Sequence, residues 1–450
     1  MANIQNRPIL TAERLAQQLM QLANQHNIKT WCLAYSGGVD SQVLLHLLHL
    51  TKLQVTAVYI DHGLQAVSTE WAKHCAYQCQ QFDIPFQVIS VDALPKRGEG
   101  PEAAARMARY AAFKTLIKDD MCLLTAQHQD DQSETVLLQL LRGAGAAGLS
   151  AMSELSEFSA GWHFRPLIND TQESILEYAE LHSLTWVDDP TNQQQDYYRN
   201  YLRHRVIPEI KQRWPSLDKT LSVFAQQQAE NAELLTVLGD IDLQTVLIEE
   251  DCLEIASLKK FDDARIRNLL RCWVKRLKYS MPSRAVLLQI VQQLQGESHD
   301  THSLVSWAGV EVRRFRDRLF ILKTLKHDPS QVFDLKPNQS LVISSIETTI
   351  IVQQNVVSEN VYLLSKDILS FPLSIRFRQG GELLKPAGRS GSHTLKSLFQ
   401  EAAIPSWQRD RIPLLYAGDE LVAIVGYWLA DKYGVKVDGV LPVALKLLTD

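Results

Sequence analysis

The sequence predicts an α/β protein that begins with a doubly wound, Rossmann-like parallel sheet and continues into two smaller domains. Short apolar runs alternate with amphipathic helical patterns from residue 10 to residue 182, which is typical of parallel sheets with helices on both faces. Polar clusters also follow three of these apolar runs. Because ligands of such sheets bind beyond the carboxyl ends of the strands, we expect the clusters to meet at one edge.

The elements of the first domain are assigned from hydrophobic spacing and from the residues that begin or end each element. Pro101 stands at the first turn of one helix, a position that proline favours. The predicted helices are Leu10–Ala23, Gln42–Leu50, Glu70–Phe82, Pro101–Ile117, Gln132–Leu141, Glu173–His182 and the long Leu217–Leu238. The predicted strands are Trp31–Tyr35, Val55–Ile60, Phe86–Val91 and Cys122–Ala126.

Changes of pattern divide the chain into three domains, at 1–215, 216–330 and 331–450. The middle domain is expected to be small and helical, with helices Phe261–Leu277 and Arg284–Leu294 and a closing hairpin within Leu304–Lys323. Short β-type runs predict a small α+β domain at the end. Its elements are strands Leu341–Ser344, Thr348–Val352, Leu373–Phe377, Leu421–Val425 and Val440–Leu447 and helix Thr394–Ala403.

The 450-residue chain has a globular composition, with 46% hydrophobic residues and a net charge of −5. The charge is uneven, because acids predominate in the first domain whereas 265–278 holds six Lys/Arg residues and no acid. Such clusters suit a polyanion such as nucleic acid, although a solvated helix face is the simpler reading. The six cysteines show no Cys-x-x-Cys spacing, and no signal peptide or membrane-spanning run is apparent. We therefore expect reduced thiols in a cytoplasmic protein.

The first polar cluster is the run Ser36-Gly37-Gly38-Val39-Asp40-Ser41, between a predicted strand and a predicted helix. Glycines let phosphate oxygens approach the backbone, and the amides at a helix N-terminus bind anions. Asp40 would repel a phosphate unless a divalent cation lay between them, so the loop predicts nucleotide binding with Mg²⁺. The Gly-Lys-Ser/Thr ending of kinases and GTPases is absent. The alternative is an ordinary strand–turn–helix joint.

The other two polar clusters follow the second and fourth predicted strands. Asp61 and His62 end one strand, and either help to form the site or make a simple turn. Asp130, Asp131 and Glu134 stand at the start of a helix, where acids are favoured as caps by the helix dipole alone. In the functional reading, one of the two aspartates holds Mg²⁺ and the other acids bind a cationic substrate.

Basic residues form a further set of candidates. Arg106 lies one helical turn after Glu102 and is either half of a solvated ion pair or a phosphate ligand. In the last domain, basic residues are interspersed with Phe377 and Trp407, which suits RNA backbone contact and base stacking. A basic surface over core aromatics fits this pattern equally well. The basic residues concerned are Arg376, Arg378, Lys385, Arg389, Lys396, Arg409 and Arg411.

The loop Ser36–Ser41 resembles the signature of the ATP-pyrophosphatase, or PP-loop, enzymes, which cleave ATP between its α- and β-phosphates to adenylate a substrate. Further segments are similar to the bacterial tRNA(Ile)-lysidine synthetase family over nearly the whole chain. They are Ile60–Leu64, Glu102–Tyr110, Thr125–Thr135, Leu141–Met152, Trp186–Pro208, Arg376–Gly381 and Leu395–Leu415. The middle domain matches only in position and helical character. The sequence departs from the common pattern of the family at Gln127, usually His, and at Gln65, often Arg.

The resemblance implies an enzyme that replaces the carbonyl oxygen of the wobble cytidine of tRNA(Ile) with the side-chain amine of lysine. ATP and Mg²⁺ are the implied cofactors, and Asp40 and Asp130 the implied metal ligands. ATP is expected on Ser36, Gly37, Gly38, Val39, Asp40, Ser41, Asp61, His62 and Arg106. Mg²⁺ and lysine are expected on Asp130, Asp131, Glu134 and Arg203. The tRNA is expected on Arg199, Arg205, Arg376, Arg378, Lys385, Lys396, Arg409 and Arg411. The implied partners are tRNA(Ile) with a CAU anticodon, free L-lysine and a second copy of the chain.

Two alternatives are open at this point. A PP-loop tRNA thiolase would place sulfur where lysine is expected, but it would want the paired cysteines that this sequence lacks. A non-catalytic RNA-binding protein that holds ATP as a ligand would not need acids beside the loop. Lysine-dependent release of AMP and pyrophosphate distinguishes the three hypotheses.

Overall fold

The computed structural model describes residues 10–63, 68–94, 100–188, 190, 197–295, 304–354, 362–433 and 443–449. Gln65 and the first three residues of the predicted strand Val440–Leu447 lie outside the described residues, as does the side chain of Glu102. The chain forms two compact units, Met1–Leu235 and Thr236–Asp450. No helix in the described part of the chain is long and apolar enough to cross a membrane.

The first unit contains the helices and strands that the sequence predicts, with ends shifted by a few residues, except that the last predicted helix extends eight residues further and ends in the second unit. Its strands are β1 Thr30–Ala34, β2 Val55–Asp61, β3 Phe86–Ser90, β4 Met121–Leu124, β5 Leu155–Phe158 and β6 Gly161–Phe164. Its helices are α1 Ala12–His26, α2 Val39–Thr51, α3 Ser68–Gln81, α4 Pro101–Leu116, α5 Gln129–Leu141, α6 Ala146–Leu149, α7 Gln172–Leu181, α8 Tyr198–Tyr201, a π-helix at Leu202–Val206, and α9 Ile207–Arg213. Helix α10, Leu217–Val246, leads from this unit into the second.

The six strands form one sheet in the order β3-β2-β1-β4-β6-β5. Every neighbouring pair is parallel except β5 and β6. This confirms the predicted doubly wound parallel sheet. The β5–β6 hairpin was not predicted, because its two short strands include several polar residues and give no continuous apolar run.

Alternate residues of the central strand β1 face two different cores. Trp31 and Leu33 pack into the core that includes residues of α1, α2 and α7, whereas Cys32 packs with Phe113 of α4 on the other face. Both faces of the sheet are therefore covered, and the carboxyl-terminal edge is left as the place where polar side chains can meet.

All six cysteines are buried and unpaired, as expected for reduced core thiols. Burial raises the pKa of the thiols of Cys32, Cys75, Cys79 and Cys122 to about 12. Since the thiolate is the reactive form, none of these four is suited to a sulfur relay.

The first part of the second unit contains the two predicted helices and a sheet of which the sequence predicted only the hairpin within Leu304–Lys323. Its first part comprises β7 Leu247–Glu249, β8 Cys252–Glu254, α11 Ile255–Leu258, α12 Asp263–Arg276, α13 Arg284–Gln295, β9 Leu304–Trp307, β10 Val310–Phe315 and β11 Arg318–Lys323. These strands form one sheet in the order β7-β8-β11-β10-β9. The predicted hairpin at Leu304–Lys323 is thus a three-stranded antiparallel meander, because a second tight turn at Ala308-Gly309 splits its first half.

The remainder of the second unit is the predicted α+β region. Two sheets are present, in the orders β12-β16-β19-β20-β21 and β13-β14-β22-β15, with a small pair of β17 and β18. The strands are β12 Phe333–Leu335, β13 Ser340–Ile343, β14 Thr348–Gln354, β15 Tyr362–Leu364, β16 Leu373–Arg376, β17 Leu383–Leu384, β18 His393–Thr394, β19 Leu414–Ala417, β20 Glu420–Ile424, β21 Trp428–Leu429 and β22 Val443–Thr449. The helices are α14 Leu395–Glu401 and α15 Ser406–Arg409.

Candidate active site

The predicted phosphate loop connects β1 to the N-terminus of α2. Gly37 has a φ of +83°, and a Cβ at this position would lie 2.8 Å from the Sγ of Cys75, so glycine is required here. The Ser41 hydroxyl donates to the carbonyl of Gly38 (3.0 Å) and lies 3.1 Å from the Ser36 hydroxyl. The loop is therefore held in one shape, with the free amides of the α2 N-terminus next to it, which is a favourable arrangement for an anion.

A cleft of about 280 Å³ opens beside this loop. Its walls include side chains from the ends of β1, β2 and β4, as the sequence predicts for the edge of a parallel sheet. Apolar and aromatic walls come from β2, α3 and α4, through Tyr59, Trp71 and Tyr110. The predicted site residues that line the cleft are Ser36, Asp40, Ser41, His62, Arg106 and Asp131.

Two of the predicted nucleotide ligands differ in what they can do. The Asp61 carboxylate accepts a hydrogen bond from the backbone amide of Gly63 (2.9 Å) and so closes a turn. The next side chain, His62, faces the cleft, and Arg109 donates to its Nε2 (3.3 Å). Because a guanidinium can only donate, Nε2 must accept and Nδ1 carries the hydrogen. This buried Nδ1 has no hydrogen-bond partner among the described residues, so it can donate to a ligand.

Asp40 is suited to a metal ion. Its Oδ1 is buried without a hydrogen-bond partner in the described part of the chain. Burial raises the pKa of this carboxyl, an effect that His128 opposes and the neighbouring Asp131 reinforces. Such a carboxylate gains from a cation. The described residues contain no group of three side chains that could bind a metal by themselves, but Mg²⁺ commonly takes one or two carboxylates together with phosphate oxygens.

His128, which the sequence analysis did not single out, lies among three carboxylates. Only 2% of its side chain is exposed, and its ring nitrogens lie 3.8 Å from Asp40, 3.7 Å from Asp130 and 3.5 Å from Asp131. Although burial favours the neutral ring, the three acids raise the pKa of His128 to about 9. The imidazolium therefore offsets part of the negative charge around the cleft. His128 is also the N-cap of α5, in a capping box with Asp131.

Asp131 and Glu134 bind two arginines of the segment that follows the sheet. The Arg199 Nε lies 2.6 Å from Glu134, and its Nη2 lies 2.8 Å from Asp131. The Arg203 Nε lies 2.5 Å from Glu134, and its Nη2 lies 3.0 Å from Asp131. Burial raises the pKa of Asp131, but His128 and the two arginines outweigh it and hold this pKa below its usual value.

Asp130 points away from this pair. Its Oδ1 accepts from Lys211 (2.9 Å) and its Oδ2 from the backbone amide of Gln172 at the start of α7 (2.9 Å). Lys211 also contacts Asp218, which accepts from the Ser133 hydroxyl (2.8 Å). Against the effect of burial, His128, the Gln172 amide and Lys211 hold the pKa of Asp130 well below its ordinary value. Asp130 thus connects α5, α7 and α9, and the carboxylate that joins Asp40 in the cleft is Asp131.

The predicted RNA-binding residues occupy two settings. Arg199 is engaged with the site acids, as described above, and Arg205, six positions later in the chain, is exposed. In the second unit, Arg376 lies over the ring of Tyr416 and near Asp419, at 4.5 Å and 3.4 Å respectively. Arg378 and Lys385 pair with Asp410 (3.3 Å) and Asp431 (2.7 Å). Lys396 is exposed, whereas Arg409 and Arg411 donate to the backbone carbonyls of Ile404 (2.8 Å) and Leu325 (3.4 Å).

Several residues of the site carry no local sequence signal. Lys211 follows its partner Asp130 by 81 positions and also contacts Asp218, and both pairs are visible only in the fold. Arg109 could have been predicted from the sequence. It follows Arg106 by three positions on the same helix, and residues at this spacing are neighbours on one helix face. Cleft residues Thr125 and Gln127 directly precede α5, in the segment that carries the predicted acids.

Fold and cleft together define a PP-loop domain, and a model of that domain matches residues 11–210. Two further family models match the second unit, the TilS substrate binding domain over residues 253–320 and the TilS substrate C-terminal domain over residues 373–439. A solved structure described as U34-tRNA thiolase NcsA from Methanococcus maripaludis superposes with a TM-score of 0.41 at 15% identity, over 49% of this chain and 78% of that chain. That overlap is too low to bear on function.

Curated relatives cover almost the full length. The tRNA(Ile)-lysidine synthase of Coxiella burnetii is 38% identical over 434 residues, which is 95% of both chains. That of Legionella pneumophila strain Paris is 37% identical over 438 residues, 95% of this chain and 96% of the relative. The chain belongs to the tRNA(Ile)-lysidine synthase family.

Proposed function

We propose that this chain joins free lysine to the wobble cytidine of tRNA(Ile) with a CAU anticodon, at the expense of ATP. In the first step the carbonyl oxygen of the cytosine attacks the α-phosphorus and pyrophosphate leaves. In the second step the lysine Nε, after losing a proton, attacks the activated carbon, and AMP leaves with the former carbonyl oxygen. The observation that supports the proposal most directly is the meeting of a phosphate loop with paired carboxylates and guanidiniums at one edge of the sheet.

ATP would lie with its phosphates on Ser36–Ser41 and its base against the aromatic walls of the cleft. The helix amides and the Ser36 hydroxyl are donors for phosphate oxygens. His62 Nδ1 adds a donor, and Arg106 and Arg109 add positive charge. Mg²⁺ would be held by Asp40 and Asp131, where it would neutralise the charge of the departing pyrophosphate. Asp130, predicted as a metal ligand, is not among the residues that line the cleft and is held by Lys211 and the Gln172 amide, so we assign it a structural role.

Lysine would bind to the cluster formed by Asp131, Glu134, Arg199 and Arg203. A free amino acid carries an α-carboxylate and two ammonium groups, and this cluster offers guanidiniums and carboxylates side by side. The substrate would exchange partners with the existing ion pairs, so that little charge is left uncompensated. Removal of the proton from the ε-ammonium then requires a carboxylate close to the nucleophile.

The basic residues of the second unit would bind the tRNA. Arg376, Arg378 and Lys385 pair with acids that are themselves exposed, and exposed pairs are weak enough for a phosphate to displace the acid. The division into domains at 1–215, 216–330 and 331–450 is part of this proposal, with the last two regions serving the tRNA. A second copy of the chain as a partner stays a prediction.

The deciding experiment combines unmodified tRNA(Ile) with a CAU anticodon, ATP, Mg²⁺ and radiolabelled lysine. We expect label in the tRNA only when ATP is present, with one AMP released for each lysine fixed. Label without ATP, or AMP release without lysine incorporation, would contradict the proposal.

Asp40→Asn is the matched variant for this assay. It should abolish AMP formation, because the isosteric amide cannot hold the metal, while tRNA binding in a filter assay stays nearly unchanged. Normal turnover in this variant would remove Asp40 and its metal from the mechanism.

A further inference from the structure

We propose that Gln127 donates a hydrogen bond to an oxygen of the α-phosphoryl group, and that three buried residues fix the direction of its amide. The three are Arg165, His163 and Thr125, called the relay below. This inference rests on the proposed function and adds a positioning device to it. It explains how a neutral amide, whose two ends look alike in size, presents its NH₂ end to the cleft.

The relay begins at Arg165, whose Nη2 lies 3.0 Å from Nδ1 of His163. Both side chains are buried. A guanidinium donates and cannot accept, so His163 Nδ1 must be the acceptor. Burial, together with Arg165 and Arg106, lowers the pKa of His163 to about 3. The ring is therefore neutral at physiological pH, and its hydrogen lies on Nε2.

His163 Nε2 lies 2.8 Å from the Thr125 hydroxyl oxygen. Because Nε2 carries the hydrogen, the ring donates and the hydroxyl oxygen accepts. The hydroxyl of Thr125 therefore donates its own hydrogen to its second partner, Oε1 of Gln127. A threonine hydroxyl has a single hydrogen, so this contact settles which end of the amide faces the relay.

With its oxygen engaged by Thr125, Gln127 keeps its NH₂ group available to a ligand. Gln127 lines the cleft, and no partner for this NH₂ exists among the described residues. The parallel register of β1 and β4 pairs Leu33 with Leu124, so the segments after these strands leave the sheet at the same edge. Gln127 lines the same cleft as Ser36, the first residue of the phosphate loop. Asp131 also lines the cleft, but its carboxylate repels phosphate.

A donor at this position suits an oxygen that gains negative charge. The α-phosphoryl oxygens do so when the cytosine oxygen bonds to phosphorus and pyrophosphate leaves, and again when AMP leaves from the cytosine carbon. The amide moves no proton in either step. Its fixed orientation means that no reorganisation is needed as the charge develops, which is the condition under which such donors are most effective.

The test uses variants of Gln127 that remove the donor. Gln127→Met keeps the length of the side chain, and Gln127→Glu keeps the acceptor for Thr125. Pyrophosphate release with tRNA in the absence of lysine should slow roughly tenfold or more in both, the usual cost of one lost donor to a developing charge. Gln87→Glu is the control, since it makes the same change at an exposed position of β3 that does not line the cleft. Wild-type rates in both Gln127 variants would overturn the proposal.

A sulfur substitution identifies the oxygen. Sulfur at a non-bridging α-position accepts hydrogen bonds poorly, so one diastereomer of the α-thio analogue of ATP should react more slowly than ATP with the wild-type protein. In Gln127→Met the ratio of the rate with ATP to the rate with this analogue should fall toward one, because the donor is already gone. An undiminished difference, or a defect confined to the KM for tRNA, would overturn the assignment to the α-phosphoryl group.

The relay itself is tested by a pair of variants at Thr125. Thr125→Ser keeps the hydroxyl, so its rate of pyrophosphate release should stay within about threefold of wild type. The isosteric Thr125→Val lacks the hydroxyl, and its rate should fall several-fold. In the Gln127→Met background, Thr125→Val should cause no further loss, since contacting residues that act as a unit are not additive. Additive losses would indicate a structural role for Thr125 and overturn the relay.

Binding of Mg·ATP without tRNA separates this inference from the proposed function. If the wild-type protein fails to fix lysine in tRNA, the proposed function falls, yet weaker Mg·ATP binding by Gln127→Met and Thr125→Val than by Gln87→Glu still supports the relay. Equal binding by all of them in that case would overturn it as well.

Discussion

The two units of this protein place their arginines in opposite settings. In the first unit, Arg199 and Arg203 converge on Glu134, whose side chain is 1% exposed. In the second unit, Arg376 and Arg378 pair with acids that are 100% and 56% exposed. A buried pair cannot open without leaving an uncompensated charge in a medium of low dielectric constant, whereas an exposed pair exchanges its partner for a phosphate at little cost. The arginines of the first unit are therefore fixed in the site by buried acids, whereas those of the second unit remain available to a polyanion.

The largest effect is expected at the buried acid. Glu134→Gln leaves Asp131 as the remaining acid of the cluster for two guanidiniums, and removal of one member of a buried pair typically costs about 3 kcal/mol or more. We expect the free energy of unfolding of the first unit, measured by urea titration, to fall by about that amount, and lysine ligation to be lost. A change below about 0.5 kcal/mol would mean that the cluster behaves like a surface pair.

The next effect concerns pH and a buried group that stays neutral. The pKa of His163 is lowered to about 3 from its ordinary 6.5. Between these values the unfolded chain binds a proton that the folded chain does not, so His163 contributes stability above pH 6.5 that is lost as pH falls toward 3. At pH 5 the loss should be about 2 kcal/mol relative to neutral pH.

His163→Gln should therefore flatten the decline of unfolding free energy between pH 6.5 and pH 4, measured by urea titration at several pH values. The control is His182→Gln, which changes an exposed histidine of the same unit. If the two variants showed the same pH dependence as the wild type, His163 would be charged or titrating normally in the folded state.

A smaller effect is expected where the arginines are available. Changing Arg376 and Arg378 together to Ala should weaken tRNA binding about tenfold at physiological salt and reduce the slope of log K against log salt by about one for each arginine–phosphate ion pair removed. Filter binding at several salt concentrations measures both quantities. An unchanged slope would assign these arginines to folding, through their interactions with Tyr416, Asp419 and Asp410.

The smallest effect is expected at the acids of these exposed pairs. Asp419→Asn and Asp410→Asn should change the free energy of unfolding of the second unit by less than about 0.5 kcal/mol. The same variants should bind tRNA as well as wild type or slightly better, since each frees an arginine. Loss of stability comparable to that of Glu134→Gln would erase the contrast between the units.

The parallel sheet and the position of the phosphate loop could be predicted from sequence because both depend on local patterns. The spacing of hydrophobic residues, the glycines of the loop and the polar residues at strand ends were enough to predict that Ser36, His62 and Asp131 meet at one edge. The β5–β6 hairpin and strands β7 and β8 of the middle region lacked such patterns. Their strands are short, and long-range pairing rather than local propensity determines them.

The acids of α5 show why the details of the site could not be predicted. The sequence placed the start of this helix at Gln132, but it begins at Gln129. Neighbours within a helix are about 100° apart around its axis, so Asp130 and Asp131 face different surroundings. Asp131 faces the cleft, and Asp130 meets Lys211 from a segment about 80 residues later in the chain. No local pattern contains that pairing.

The burial of every cysteine gives this protein a practical property. Its six thiols are enclosed and unpaired, and with raised pKa values they react slowly with maleimides and similar reagents. A single cysteine introduced at an exposed position would then be the fastest-reacting thiol of an otherwise native chain. Fluorophores or spin labels could be attached to either unit in this way, and the distance between the units could be followed while tRNA, ATP and lysine bind in turn.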